Sequence, residues 1–223
     1  MRRKAGDLIN EYLRESKLAE NRVNPIGEGA NAIVYQSDIP GNVMKQGRGR
    51  DDGFLTLEEE ANLQDVAARM GIAPQIAGVE KFAGGVGNRI EMEDIRKNFE
   101  THESDNGLFP TGIDAVRVNQ QLGQLALKGV GLGDRHVDNV VYNKMTGRPM
   151  QIDFGVAGRV QGSEQAASLA LSTAEGFQAA GIGDVADIYL ATVMDYLEGG
   201  QVTEAMDVAK QGFSRLQKIK RTV

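Results

Sequence analysis

The chain has 223 residues, 41% apolar but only 5% aromatic, with 28 glycines and a formal net charge of −6. It contains no cysteine and only two histidines, His102 and His136, which excludes disulfide stapling, thiolate catalysis, cysteine-ligated zinc and multi-histidine metal centres. The negative balance argues against a general nucleic-acid binder, and the absence of a long apolar run or a signal-peptide core points to a soluble protein suited to a reducing cytoplasm.

The first predicted element is a helix over residues 7–20, with Leu8, Ile9, Tyr12, Leu13 and Leu18 at helical spacing and Asp7 as its cap. Pro25 ends it. Residues 26–35 then read as strand–turn–strand around Gly27 and Gly29, where backbone N–H groups can approach a phosphate with no side chain in the way. No Gly-Lys-Ser/Thr comes after it, so this is not a Walker A loop. The residues beyond the glycines are strand-like, so it is not a dinucleotide turn either. Asn42–Lys45 forms the next strand after Pro40-Gly41, and a helix runs from Thr56 to Met70 with a Thr56/Glu59 capping box. Glu60 precedes Leu63 and Ala67 on the apolar face and so points inward, toward the strand that carries Lys45. Gly71 and Pro74 end this helix. Strands are expected at 75–79 and 89–93, joined through a Gly84-Gly85 turn, and a polar segment after residue 95 marks a change of lobe. Helices are expected at 112–130, 184–197 and 201–217, with a Gly/Ser-rich stretch from Gly155 to about Ser163.

The chemistry concentrates in Gly133-Asp134-Arg135-His136-Val137-Asp138-Asn139 and, further on, Ile152-Asp153-Phe154-Gly155. Val140–Tyr142 and Met150–Ile152 read as two short strands, with Gly147 and Pro149 in the turn between them. A hairpin returns the chain to its starting end, so Asp134, Asn139 and Asp153 should converge. Two carboxylates and an amide oxygen are hard donors, suited to Mg²⁺ or Mn²⁺. A carboxylate left off the metal can orient a hydroxyl and accept its proton.

In this order the motifs resemble the protein-kinase-like fold over about residues 24–197. The resemblance implies an α+β, bilobal architecture: a helical extension over 1–23, a small antiparallel-sheet N-lobe over 24–95 and a reduced, mainly helical C-lobe over 96–223. It further implies that Gly27 and Gly29 belong to the nucleotide loop, with Ala32 in place of a third glycine, and that Val34 covers the adenine. Lys45 matches the strand lysine on the phosphates and Glu60 its helix partner. Met92, Glu93, Asp94 and Ile95 resemble the gatekeeper and hinge. Asp134 matches the catalytic aspartate, and Asn139 and Asp153 match the metal ligands for Mg·ATP.

The sequence also departs from the family pattern. Gly-Asp-Arg-His replaces His-Arg-Asp, which is similar to phosphoinositide and related atypical kinases. His136 then stands where a lysine is usual, either touching the γ-phosphate or serving as a hydrogen-bonded structural imidazole. Arg135 is expected to pack within the loop, with a catalytic role as the alternative. There is no Ala-Pro-Glu motif downstream, and no Arg precedes Asp134, so phosphorylation over 156–175 is not expected to control the enzyme. A chain this short resembles the minimal effector kinases that bacterial pathogens deliver into host cells, including the Hop-type one that phosphorylates the host chaperone Hsp90. The implied activity is transfer of the ATP γ-phosphoryl group to a protein Ser or Thr, by a monomer with a protein substrate and no membrane insertion. A small-molecule kinase, an AMP transferase and a non-catalytic nucleotide-binding module are the alternatives.

Overall fold

The computed structural model describes residues 25–28, 32–48, 55–80, 88–101 and 112–219. The helix expected over 7–20, Gly29 and the Gly84-Gly85 turn lie outside them. Within these residues the chain is α+β, with a small antiparallel sheet and one helix preceding a mainly helical part.

The sheet contains β1 (Gly27–Glu28), β2 (Ala32–Gln36), β3 (Asn42–Gly47), β4 (Ile76–Glu80) and β5 (Arg89–Glu93), in the order β1-β2-β3-β5-β4. All pairings are antiparallel, and Lys45 on the central strand stands opposite Val34 on one side and Ile90 on the other. Side chains alternate across a strand, so Val43, Lys45 and Gly47 share the face that opens on a cleft. Helix α1 (Leu57–Arg69) packs Leu57 and Ala61 against Ile90 of the sheet. Its first turn carries the expected capping box: Thr56 accepts from the Glu59 N–H, and the Glu59 carboxylate accepts from the Thr56 N–H. Gly71, at φ +68°, adopts the left-handed conformation that closes the helix.

The second part begins with β6 (Phe99–Thr101), which pairs with β8 (Val140–Asn143) beside β9 (Pro149–Gln151). A separate pair joins β7 (Val130–Leu132) to β10 (Ala157–Arg159). Four helices complete it: α2 (Ile113–Leu127), α3 (Ser163–Ala179), α4 (Gly183–Glu198) and α5 (Val202–Leu216). Helix α3 is not among the helices expected from the sequence, although Ala166, Leu169, Ala170, Ala174 and Phe177 are buried at helical spacing.

These helices approach through glycine. A Cβ on Gly123 would lie 2.2 Å from the Phe213 ring, and one on Gly212 would lie 2.2 Å from the Tyr189 ring. The two parts of the chain meet in one apolar cluster, in which Leu63 and Ala67 of α1, Leu125 of α2 and Val130 of β7 surround Phe154.

Candidate active site

The hairpin β8–β9 is the frame of the site. Its register sets Val140 opposite Gln151, and just below that pair the Ile152 N–H donates to the Asn139 carbonyl at 2.8 Å. The two ends of the hairpin are therefore bonded to each other. Buried glutamines hold it in place: Gln121 of α2 donates to the Pro149 carbonyl at 2.7 Å, and Gln151 donates to Gln121 Oε1 at 3.3 Å. Buried amides with satisfied partners fix position as well as filling space.

The 3₁₀ turn Val137–Asn139 enters the hairpin. The Asn139 side-chain N–H donates to the Asp134 backbone carbonyl at 3.2 Å. That bond orients the amide, so its Oδ1 keeps its lone pairs for a cation. Gly133 starts the loop, where its N–H donates to the Val156 carbonyl at 3.1 Å. A Cβ there would sit 2.5 Å from that same oxygen, so only glycine fits.

At the back of the cleft, Lys45 Nζ lies 2.5 Å from Glu60 Oε1 and 3.0 Å from Asp153 Oδ1. Lys45 and Glu60 are nearly covered, with side chains 12% and 3% exposed, whereas Asp153 is half-exposed. Burial pushes the Lys45 ammonium down, but the charges of Glu60 and Asp153 outweigh it and hold it above the ordinary lysine value. Burial likewise pushes Asp153 up, and Lys45 with the Gly155 N–H pulls it below the ordinary range.

Glu60 also accepts from the Phe154 N–H at 3.4 Å, and the Leu55 N–H donates to the Gly155 carbonyl at 3.2 Å. Helix α1 and the residue that leads into its cap are thus fastened to the Asp-Phe-Gly turn at one point each, with Phe154 itself fully buried between the two parts. Asp153 has φ +62°, the one positive φ of a non-glycine residue among the described residues. Strain of this kind persists only where its surroundings enforce it.

The cleft has a volume of about 1150 Å³ and is lined by Gly27, Val34, Lys45, Glu60, Met92, Glu93, Ile95, Asp134, Asn139 and Asp153. Val141 and Ile152 line it as well; their sequence pattern places them on strands without marking them for the site. Along the segment from Met92, the Glu93 N–H is taken by the Gln75 carbonyl and the Asp94 N–H by the Gly41 carbonyl. His136 is not among the lining residues. Its Nδ1 accepts from the Asp138 N–H at 3.3 Å and lies 3.1 Å from the Asp138 carboxylate, so it closes the short 3₁₀ turn. Arg135 turns outward to α3, beyond its own loop.

The donors that face the cleft suit a hard cation. Asp153 uses Oδ1 on Lys45 and Gly155, leaving Oδ2, and Asn139 contributes its amide oxygen. Among the described residues, no cluster of three or more His, Asp or Glu forms a metal cage. A cation held by one carboxylate and one amide needs further oxygens, which a nucleotide phosphate would bring.

No family model matches the chain, and no curated protein matches it. Among solved structures it is similar to the PknI kinase domain of Mycobacterium tuberculosis, at 22% identity and a TM-score of 0.46, over 71% of this chain and 73% of that one. Among the described residues, no helix is long and apolar enough to cross a membrane.

Proposed function

We propose that the chain is an ATP-dependent phosphotransferase that moves a γ-phosphoryl group to a hydroxyl. The observation that carries this reading is the placement of Lys45 between two carboxylates, Glu60 and Asp153, at the back of a cleft that also exposes Asp134 and Asn139. A fixed ammonium, two oxygen donors and a carboxylate free to take a proton are what phosphoryl transfer demands of a protein.

Val34 and Ala32 cover the base from the sheet side, and Val141 and Ile152 support it from below. With the Glu93 and Asp94 N–H groups already bonded, the Ile95 N–H is the hinge donor for the purine edge. Lys45, steadied by Glu60, binds the phosphates. Asn139 and Asp153 would hold Mg²⁺, which when bound neutralises phosphate charge. Asp134 orients the acceptor hydroxyl and takes its proton as the acceptor oxygen bonds to the γ-phosphorus and the bond to the β-phosphate oxygen breaks, releasing ADP. His136 acts through the shape of the loop, with no contact to phosphate.

For the acceptor, the reading is a protein Ser or Thr. The resemblance to compact effector kinases makes a host protein, with the chaperone Hsp90 first among candidates, the substrate to try. A second reading has its own support. Only residues 156–162 separate Gly155 from α3, which leaves little chain to cradle a peptide and favours a small-molecule acceptor. Incubation with γ- and α-labelled ATP, purified Hsp90, a host lysate and a panel of small hydroxyl compounds tests both. Label from γ-ATP on a protein supports the first, and on a metabolite the second. Label only from α-ATP would replace phosphotransfer with AMP transfer. Failure of Mg·ATP to raise the melting temperature would remove the nucleotide site itself.

A further inference from the structure

The phosphotransfer reading leaves one well-placed group unused. Arg135 directly succeeds Asp134, yet its guanidinium leaves the cleft and enters the helical part, where it is 17% exposed. Its Nη1 lies 3.0 Å from Glu175 Oε1, and its Nη2 donates to Ser172 Oγ. Ser172 is fully buried and passes its own proton to the Ser168 carbonyl at 2.9 Å. Its oxygen is therefore a fixed acceptor. Both contacts come from α3, one turn apart.

The rest of the loop is tied down from within the chain as well. Asn139 holds the Asp134 carbonyl, and the Gly133 N–H is bonded to Val156. The residues after Val156 pair as β10 with β7, and the Val160 N–H donates to the Gly129 carbonyl at 3.0 Å.

From this geometry we infer that Arg135, clamped by Glu175 and Ser172, is a positioning residue that sets Asp134 against the cleft. The inference rests on the phosphotransfer reading above. A guanidinium suits the task because its planar fork loses little freedom when it is bonded at two points. Stability is a poor explanation for the pair. Burial pushes the Glu175 carboxyl above the ordinary glutamate value against the pull of Arg135, and burial pushes the Arg135 guanidinium down. Replacing both members of such a pair by apolar groups often costs no stability, so the pair is weak evidence of a stabilising role.

The test compares wild type with Arg135→Met, Arg135→Lys, Glu175→Gln and Ser172→Ala in the full chain. The readouts are steady-state kinetics with Mg·ATP, thermal melts and amide hydrogen exchange over residues 133–139. Arg135→Met is expected to lower kcat by about 10- to 100-fold, the usual cost of a misplaced reacting group. KM for ATP should stay within about twofold, because nucleotide contacts are untouched. Arg135→Lys should recover part of kcat, and the loop amides should exchange faster in Arg135→Met and Glu175→Gln. Should Arg135→Met fail to fold, Ser172→Ala, which removes one of the two contacts, carries the same comparison with a smaller loss. Unchanged kcat and unchanged loop exchange in the folded variants would overturn the inference. So would a fall in kcat matched by an equal fall in melting temperature that Arg135→Lys does not relieve. A wild type that binds Mg·ATP but transfers nothing would sink the phosphotransfer reading alone, since loop exchange still decides whether the clamp exists.

Discussion

The two parts of this molecule are held together by different means. In the sheet part, a few charged groups are specified closely: Lys45 and Glu60 are nearly covered, bonded at 2.5 Å, and fastened through Phe154 and Gly155 to the second part. In the helical part, identity matters less than size. Gly123, Gly176 and Gly212 are the points where helices or their side chains touch closely, and alanines fill much of the core between them. Chemistry constrains residue type at a handful of positions, whereas close packing constrains volume at many. A substitution among the charged groups of the cleft should therefore remove activity and leave the fold, and one at the glycines between the helices should do the reverse.

The sharpest way to break that contrast is at the charged end. Asp153→Ala and Lys45→Ala should each lower γ-phosphoryl transfer by at least about 10³-fold, since each removes a fixed charge from where the phosphates and their cation would lie. Asp134→Ala should lose turnover as severely yet keep its Mg·ATP thermal shift. Full phosphotransfer by Asp153→Ala, read with γ-labelled ATP, would leave the metal assignment without support. In the helical part, Gly123→Ala and Gly212→Ala force a ring aside and should destabilise by about 1–3 kcal/mol in urea melts, as overpacked cores do. Turnover per folded molecule should hold. If those variants instead lost kcat while melting normally, the two parts would not be separable in this way.

Thr56→Ala is a milder test on the same side as the active site. Removing the capping-box oxygen should cost about 1 kcal/mol, the usual worth of a helix N-cap. It should leave the Lys45–Glu60 bond in place, because Glu60 is fastened independently through Phe154.

The contrast also explains what can be read from the sequence. The strand that ends in Lys45, the inward position of Glu60 three residues before Leu63, and the Gly-Pro turn between two short apolar runs are all legible, because each rests on local period or turn chemistry. The hairpin is a consequence of Gly147 and Pro149, and with it the closeness of Asn139 to Ile152. Helix α3 is not legible. Ser163 to Ala179 holds four hydroxyl residues and small alanines where a bulkier apolar stripe would mark a buried face, although Leu169, Ala170, Ala174 and Phe177 keep helical spacing. Its buried Ser172 and Thr173 donate to carbonyls one turn back, at 2.9 and 2.8 Å, so polar residues that look like surface are satisfied inside the helix. Without α3, the partners of Arg135 are hidden too. Its destination depends on a helix some forty residues on, and nothing local to the loop carries that information. His136 shows the opposite limit. Its position allows both a phosphate contact and a structural imidazole, and its Nδ1 accepts from the Asp138 N–H as a local cap.

The smallest expected effect concerns charge at the cleft. Asp153 sits below the ordinary aspartate value of 3.8: burial opposes its ionisation, but Lys45 and the Gly155 N–H favour it more strongly. A carboxyl whose folded pKa is lower than its unfolded one contributes stability that is fully present above the unfolded value and is lost as pH falls through the folded one. Asp153→Asn removes that contribution and retains a residue that tolerates φ +62°. Because the side chain is half-exposed, the gap in unfolding free energy at pH 6 should be that of a screened pair, about 0–1 kcal/mol. Urea melts of both proteins from pH 6 to pH 3 should show the gap narrowing below about pH 4, as the wild-type carboxyl protonates. A gap that stays constant over this range would mean that Asp153 matters to the fold through shape alone, and that the ammonium of Lys45 is held by Glu60 without its help.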